Sequence, residues 1–527
     1  MKRLTRILNF PLPALAACLL FLATGGAFIT QLGLQNDEAL FANGIYKPYF
    51  VAYTFRLGRS HLPLMLMSYL GTLKSWLYRP IFQLFGTGVS TIRVPMLLAG
   101  VAGVWLFCLF LRRVAGVRAA LVGCGLLAVD SLYLLTICFD WGPVALQHLL
   151  LIAAMLLMAG FYQSRSPRWL AGGCFLLALA MWDKALATWM IAGMSVALLV
   201  VFPKQIARVV TPRRVAIAVV AFCLGALPLI LYNIHNPLAT FRGNTSWDTR
   251  DLVGKARLLA NTADGHALFG WLANEDWQTD HPRPPRGALE AASARISALA
   301  GHPRHSLLLY AFYLALLLTP LARGPALRAI LFALVAMAVA WAQMAVTVNA
   351  GGSVHHTILI WPLPQMVIAI SFAAASRRLG RAGIPALAAV LAVLMASGLL
   401  VTNEYRVLIV RNGGSQNWTD AILRLAGYMQ GVPSTYVFCM DWGIGDSMRL
   451  LSRGKLPLRV GPDPATRPAL KPDQVFINHT TEFTFFPGVN DKLVNYAAAA
   501  GYRREVMAVI PDSNGRPVYE VYRFVAR

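Results

Sequence analysis

Charge is scarce in this chain. Of its 527 residues only 13% are charged, 57% are hydrophobic, and the mean hydropathy is +0.57. A soluble domain carries about 25% charged residues. The shortage excludes a soluble enzyme, a disordered chain and a fibrous one, and leaves an integral membrane protein. Acid is scarcer still: 23 Asp and Glu stand against 47 Lys and Arg, a formal net charge of +24. Cysteine builds no framework. Cys18, Cys108, Cys124, Cys138, Cys174 and Cys223 lie in or beside apolar runs and Cys439 stands alone, so they read as small core residues rather than disulfide partners. Gly-rich nucleotide loops, internal repeats and low-complexity tracts are also missing.

What the chain has is long apolar runs. About 20 apolar residues cross a bilayer core as a helix. Eleven candidate spans meet or approach that length: 11–32, 92–111, 117–136, 143–162, 168–182, 185–202, 214–233, 306–322, 327–347, 355–375 and 384–402. Lys2, Arg3 and Arg6 precede the first, as they would a signal peptide, but the run is too long for one and lacks a convincing small-residue cleavage site. With the N-terminus in the cytoplasm, the inner connections hold Lys2, Arg3, Arg6, Arg112, Arg113, Arg118, Arg165, Arg168, Lys204, Arg208, Arg213, Arg214, Arg323, Arg328, Arg377, Arg378 and Arg381, seventeen basic residues with no acid among them. Cytoplasmic loops collect Lys and Arg in this way. The bias orients the chain and explains much of the +24 without a nucleic-acid partner. It predicts a multi-pass protein of a bacterial inner (cytoplasmic) membrane, with a transmembrane domain over 1–402 and a periplasmic C-terminal domain over 403–527.

That last segment changes character. Short strands over 434–439 and 474–478, helical patterns over 447–453 and 491–501, and runs over 506–510 and 518–524 flanking Asn514-Gly515 predict a small α/β domain ending in a hairpin. The fold class is therefore an all-α polytopic membrane domain, with an amphipathic first outer loop, plus a small α/β domain.

Ionisable residues gather at the outer ends of the spans. Asp37-Glu38 follows the first span; the pair either caps the next helix or supplies a general base or metal ligand at the membrane–water boundary. The next stretch, with Lys47, Arg56, Arg59 and His61 and continuing through Met65–Leu77, is too broken by polar residues to span and predicts a segment lying in the interface plane. Its basic groups meet either lipid headgroups or an anionic lipid phosphate. Asp140, before Pro143, is a helix cap or a second acid. Asp183-Lys184 is a surface ion pair or a phosphate site, and His355-His356 offers a hydrogen bond to a phosphate. A transporter would more often hold its ionisable residues near the bilayer midplane. An outer-interface cluster suits a substrate with a lipid tail and a polar head.

These residues resemble a known family. Asp37-Glu38-Ala39 after the first span, a long outer loop with His61-Leu62-Pro63-Leu64, then Phe85-Gly86 and Ile92-Arg93-Val94-Pro95, look like the N-terminal half of C-superfamily membrane glycosyltransferases, near the protein O-mannosyltransferases and the bacterial aminoarabinose (lipid A) transferases. Asp140 and Lys184 match that family's second outer acid and outer-loop lysine by position. The His61 motif lacks the family's first proline and the lysine of the aminoarabinose transferases, and 241–247 has no counterpart. The resemblance implies inverting transfer of a sugar from a polyprenyl-phosphate donor to an acceptor (a glycan, lipid A or a protein) outside the membrane. It implies Asp37, Glu38 and Asp140 as the catalytic acids, with Asp37 as the base, and Lys184, Arg56, Arg59, His61, His355 and His356 toward the donor phosphate. A divalent metal stays open, with Glu38 and His61 or Asp140 as its ligands. A lipid-linked glycan ligase or polymerase, and a non-enzymatic transporter or flippase, are the alternatives.

Overall fold

In lipid every backbone polar group must be satisfied within its own segment, so long apolar runs become helices. In the computed structural model, which describes residues 11–46, 51–142, 144–242, 244–466 and 468–527, each of the eleven runs carries one. Lys2, Arg3, Arg6, Lys47 and Pro143 lie outside the described residues. Five helices are individually long and apolar enough to cross a membrane: Val89–Ala115, Val144–Ser164, Pro325–Ala345, Val354–Arg378 and Gly380–Asn412. Three bent pairs raise the number to eight: Val117–Ala128 with Ser131–Cys138, Ala187–Val201 with Pro203–Val209, and Pro212–Gly225 with Leu227–His235. The remaining runs fall on shorter helices, Leu12–Gly26, Pro167–Asp183 and Leu308–Leu321. The chain is thus a multi-pass membrane protein; by length and composition five to eight spans are counted among the described residues, and the remaining expected spans fall on the three shorter helices.

The bends have local causes. Asp130 ends one helix and caps the next through the Tyr133 N–H (2.9 Å), giving a 59° turn, and it also accepts from Trp361 Nε1 and Gln365 Nε2, both at 2.7 Å. Pro203 stands at a first helical position at the 97° break, where its missing N–H costs nothing.

The first outer loop departs from expectation. Much of it forms an antiparallel sheet, β1 (Tyr53–Leu57), β2 (Ser60–Met67) and β3 (Leu70–Gly71), and only the following helix Leu73–Phe85 is amphipathic. The membrane part is therefore not all-α. The register pairs Arg56 with His61 and Leu57 with Ser60, across a Gly58-Arg59 turn in which Gly58 takes φ 59°. A glycine at the first central position is a hairpin signal, one hidden by reading the segment only for helical amphipathicity. The sheet is tied down where Trp182 Nε1 donates to the Leu64 carbonyl (2.9 Å).

The C-terminal unit is a five-stranded sheet in the order β5-β4-β6-β8-β7, with β4 (Tyr436–Cys439) parallel to β5 (Leu458–Val460) and β6 (Gln474–His479), and the hairpin β7 (Tyr502–Pro511) and β8 (Pro517–Ala526) antiparallel at one edge. Helices Ile444–Leu451 and Val489–Ala499 make the connections. The last span runs without a break from Gly383 to Asn412, so the 402/403 division falls inside a helix. Gly413 ends it at φ 76°, and Asn274 Nδ2 and Arg516 Nη2 both donate to the Gly414 carbonyl, at 3.0 and 2.8 Å.

Candidate active site

A cavity of about 880 Å³ opens between the helix bundle and the α/β unit. Its walls come from the helix Asn36–Ala42, the end of β2, the turn after Asp183, Thr240, Phe241, Asn244 and Thr245, the segment 347–350, the two histidines, and the α/β unit.

Asp37 sits in the first turn of Asn36–Ala42. Gln35 caps this helix: its side chain accepts from the Asp37 N–H (2.6 Å) while the Gln35 N–H donates to Glu38 Oε2 (3.0 Å), a reciprocal capping box. Successive helical residues point about 100° apart, so neighbouring acids part company. Asp37 is half-buried and lines the cavity. Glu38 turns inward and is fully buried against Arg93, with Nε to Oε1 at 2.7 Å and Nη2 to Oε2 at 2.9 Å. The other Arg93 donors go to the carbonyls of Ile29 (2.7 Å), Leu32 (2.9 Å) and Gly33 (2.6 Å), so all five are spent on one segment. Burial pushes the Glu38 carboxyl above its ordinary range, with Arg93 opposing.

Asp140 is likewise enclosed. It adopts φ 45° between two helices, and its carboxylate takes an ion pair from Lys74 and a hydrogen bond from Tyr78 Oη (2.8 Å), while Lys74 Nζ also donates to the Gly142 carbonyl (2.7 Å). Burial pushes Asp140 up to about 6 against the pull of Lys74. Desolvation of a buried pair outweighing its Coulomb attraction is a familiar balance. Neither Glu38 nor Asp140 lines the cavity.

Lys184 does. Its backbone is fixed by a bridge to Leu70 and by the Ala185 N–H to Tyr69 carbonyl bond (3.0 Å), and the residue is 7% exposed. Among the described residues no hydrogen bond or ion pair holds its Nζ, so the surface pair with Asp183 is not formed. Burial pushes the ammonium down to about 8, opposed by the Asp37 and Asp183 carboxylates. His355 and His356 share the cavity. The His355 ring lies 4.9 Å from Trp141 and 4.1 Å from His356, its Nδ1 is 2.8 Å from Ser353 Oγ, and among the described residues His356 Nδ1 is buried without a hydrogen-bond partner.

Arg56, Arg59 and His61 are exposed on the β1–β2 hairpin and do not line the cavity; Arg56 Nε donates to the Gly58 carbonyl (3.2 Å). Sequence reasoning missed the far wall, where Asp441, Trp442, Asp446 and Arg459 face the cavity from the α/β unit. The signal was Asp441-Trp442-Gly443 in the turn that follows a strand. Burial works against the Asp441 carboxylate, but hydrogen bonds from His479 Nδ1 (2.9 Å) and the Phe485 N–H (2.8 Å) hold it below its usual range. Among the described residues no group of three or more His, Cys, Asp or Glu is placed to hold a metal ion.

Comparison with known proteins places the fold. The family model for dolichyl-phosphate-mannose-protein mannosyltransferases matches residues 71–232. ArnT from Cupriavidus metallidurans bound to undecaprenyl phosphate is similar over 97% of this chain and 97% of that one, at 14% identity and a TM-score of 0.58; its apo state gives 99%, 98%, 13% and 0.57. The oligosaccharyltransferase of Archaeoglobus fulgidus is similar over 85% of this chain and 64% of that one, at 11% identity and a TM-score of 0.50. Among curated proteins no match was found. In fold the chain resembles these membrane proteins along most of its length, and the family model it matches over 71–232 is one of mannosyltransferases.

Proposed function

We propose that this chain transfers a sugar from a polyprenyl-phosphate-linked donor to an acceptor hydroxyl at the outer face of a bacterial cytoplasmic membrane. The observation that carries the reading is the pairing of an accessible carboxylate, Asp37, with an unpartnered ammonium, Lys184, on one cavity beside the bundle. ArnT, similar along its whole length, binds undecaprenyl phosphate. A lipid-linked donor meets the need for an activated sugar where nucleotide sugars are absent.

Asp37 takes the proton of the acceptor hydroxyl as its oxygen bonds to the anomeric carbon. The bond from that carbon to the phosphate oxygen breaks, and polyprenyl phosphate leaves against Lys184, with His355 and His356 as further hydrogen-bonding groups. Positive charge aimed where the leaving phosphate develops its own stabilises the transition state. Single displacement inverts the anomeric configuration. Glycan, lipid A and protein acceptors all supply a hydroxyl.

The test is the product from a labelled lipid-linked sugar. Release of polyprenyl phosphate supports the reading, release of the pyrophosphate form indicates a ligase or polymerase, and no release indicates a transporter. Reporter fusions at Ser376 and Arg527 should lie on opposite sides of the membrane, with Arg527 outside.

A further inference from the structure

Asp37 rides on a helix of seven residues, too short to hold its own position. From the membrane side the segment is gripped by the five donors of Arg93. From the other side it meets the α/β unit. Asn43, fully buried at the C-terminal end of that helix, donates from Nδ2 to the Asp446 carbonyl (3.0 Å) and to Asp446 Oδ1 (2.8 Å). At the other end Ser447 Oγ donates to the Leu34 carbonyl (3.0 Å). Both ends of the short helix are therefore bonded to Ile444–Leu451, a helix some four hundred positions away in sequence.

We infer that the α/β unit is a positioning element for the reaction and that Asn43 and Asp446 are positioning residues, fixing Asp37 in the cavity through this clamp. The inference rests on the transferase reading above. Polar bonds that join the two layers specify one relative placement, because shifting the layers leaves the buried Asn43 amide and the buried Ser447 hydroxyl and Leu34 carbonyl without these partners. A displacement near 1 Å at a reacting group costs roughly 10²-fold in rate.

The experiment measures kcat, donor affinity and thermal stability in full-length protein. Asn43→Ala removes both bonds and should lower kcat roughly 10- to 100-fold, with donor affinity changed less than about twofold. Asp446→Asn keeps an oxygen acceptor for Asn43 and should keep kcat within about threefold of wild type. Asp446→Ala, which removes one bond and little volume, supplies the same comparison should Asn43→Ala fail to fold. A kcat left unchanged by Asn43→Ala and Asp446→Ala overturns the inference. So does an Asp446→Asn loss as deep as that of Asp446→Ala, since charge rather than a hydrogen bond would then be at work. Absence of transfer by the wild-type protein in the same assay overturns the transferase reading instead.

Discussion

Two sets of charges lie within a few turns of each other and have opposite fates. Below the cavity, Glu38 with Arg93 and Asp140 with Lys74 are sealed into ion pairs with every side chain fully buried. At the cavity surface, Asp37 and Lys184 keep their polar ends open. Adjacent residues of one helix, Asp37 and Glu38, fall on either side of that line. A charge consumed by a partner holds a scaffold in register, whereas a charge left unsatisfied at a cavity is available to a substrate. The comparison separates framework from chemistry more sharply than residue type does.

It can be broken in four ways. The largest effect on activity is expected from Asp37→Asn, which keeps shape and removes the base. Transfer should fall at least the 10²–10⁴-fold typical of lost proton transfer, with expression and donor binding intact, as read in purified protein. Near-normal turnover would move the base elsewhere. The largest effect on stability is expected from Arg93→Met. It strands the Glu38 carboxylate and three carbonyls, and removing one partner of a buried pair costs about 3–5 kcal/mol. Chemical or thermal unfolding should register that loss, and Glu38→Gln should lose less.

Lys184→Ala should leave the melting temperature nearly unchanged and weaken donor binding roughly 10- to 100-fold, the equivalent of one charge-assisted hydrogen bond. Unchanged donor affinity would return Lys184 to the framework. The smallest effect is a pH slope. Burial raises Asp140 to about 6 from 3.8, so the folded state holds that proton more tightly than the unfolded chain. Its contribution to stability is then fullest below about pH 4 and is lost as pH rises through about 6. Asp140→Asn should flatten the melting temperature over that window, and an unaltered slope would remove Asp140 as its source.

Much of this was legible in the sequence, for identifiable reasons. Apolar runs follow from the solvent, and so did the multi-pass architecture. The α/β unit announced itself through strand runs and the Asn514-Gly515 turn, where Gly515 takes φ 85°. Asp37 and Lys184 could be singled out because both stand at ends of spans. What could not be read was pairing. Nothing local says that Arg93 reaches back to Glu38, or that Lys74 meets Asp140 across 66 positions. The β1–β2 hairpin was missed because alternation in a basic, broken segment is easily taken for helical amphipathicity. The far wall was missed because Asp441 lies in the turn that follows strand β4, and only tertiary packing brings that turn to the cavity.

The unbroken helix from Gly383 to Asn412 has a mechanical consequence. Thirty residues rise about 45 Å, while the hydrocarbon core is about 30 Å thick. Some ten residues therefore project as a stiff mast, pinned at its tip by Asn274 and Arg516. Because the helix carries no break, the Gly414 carbonyl that Asn274 and Arg516 bind stands at a fixed distance from Gly383.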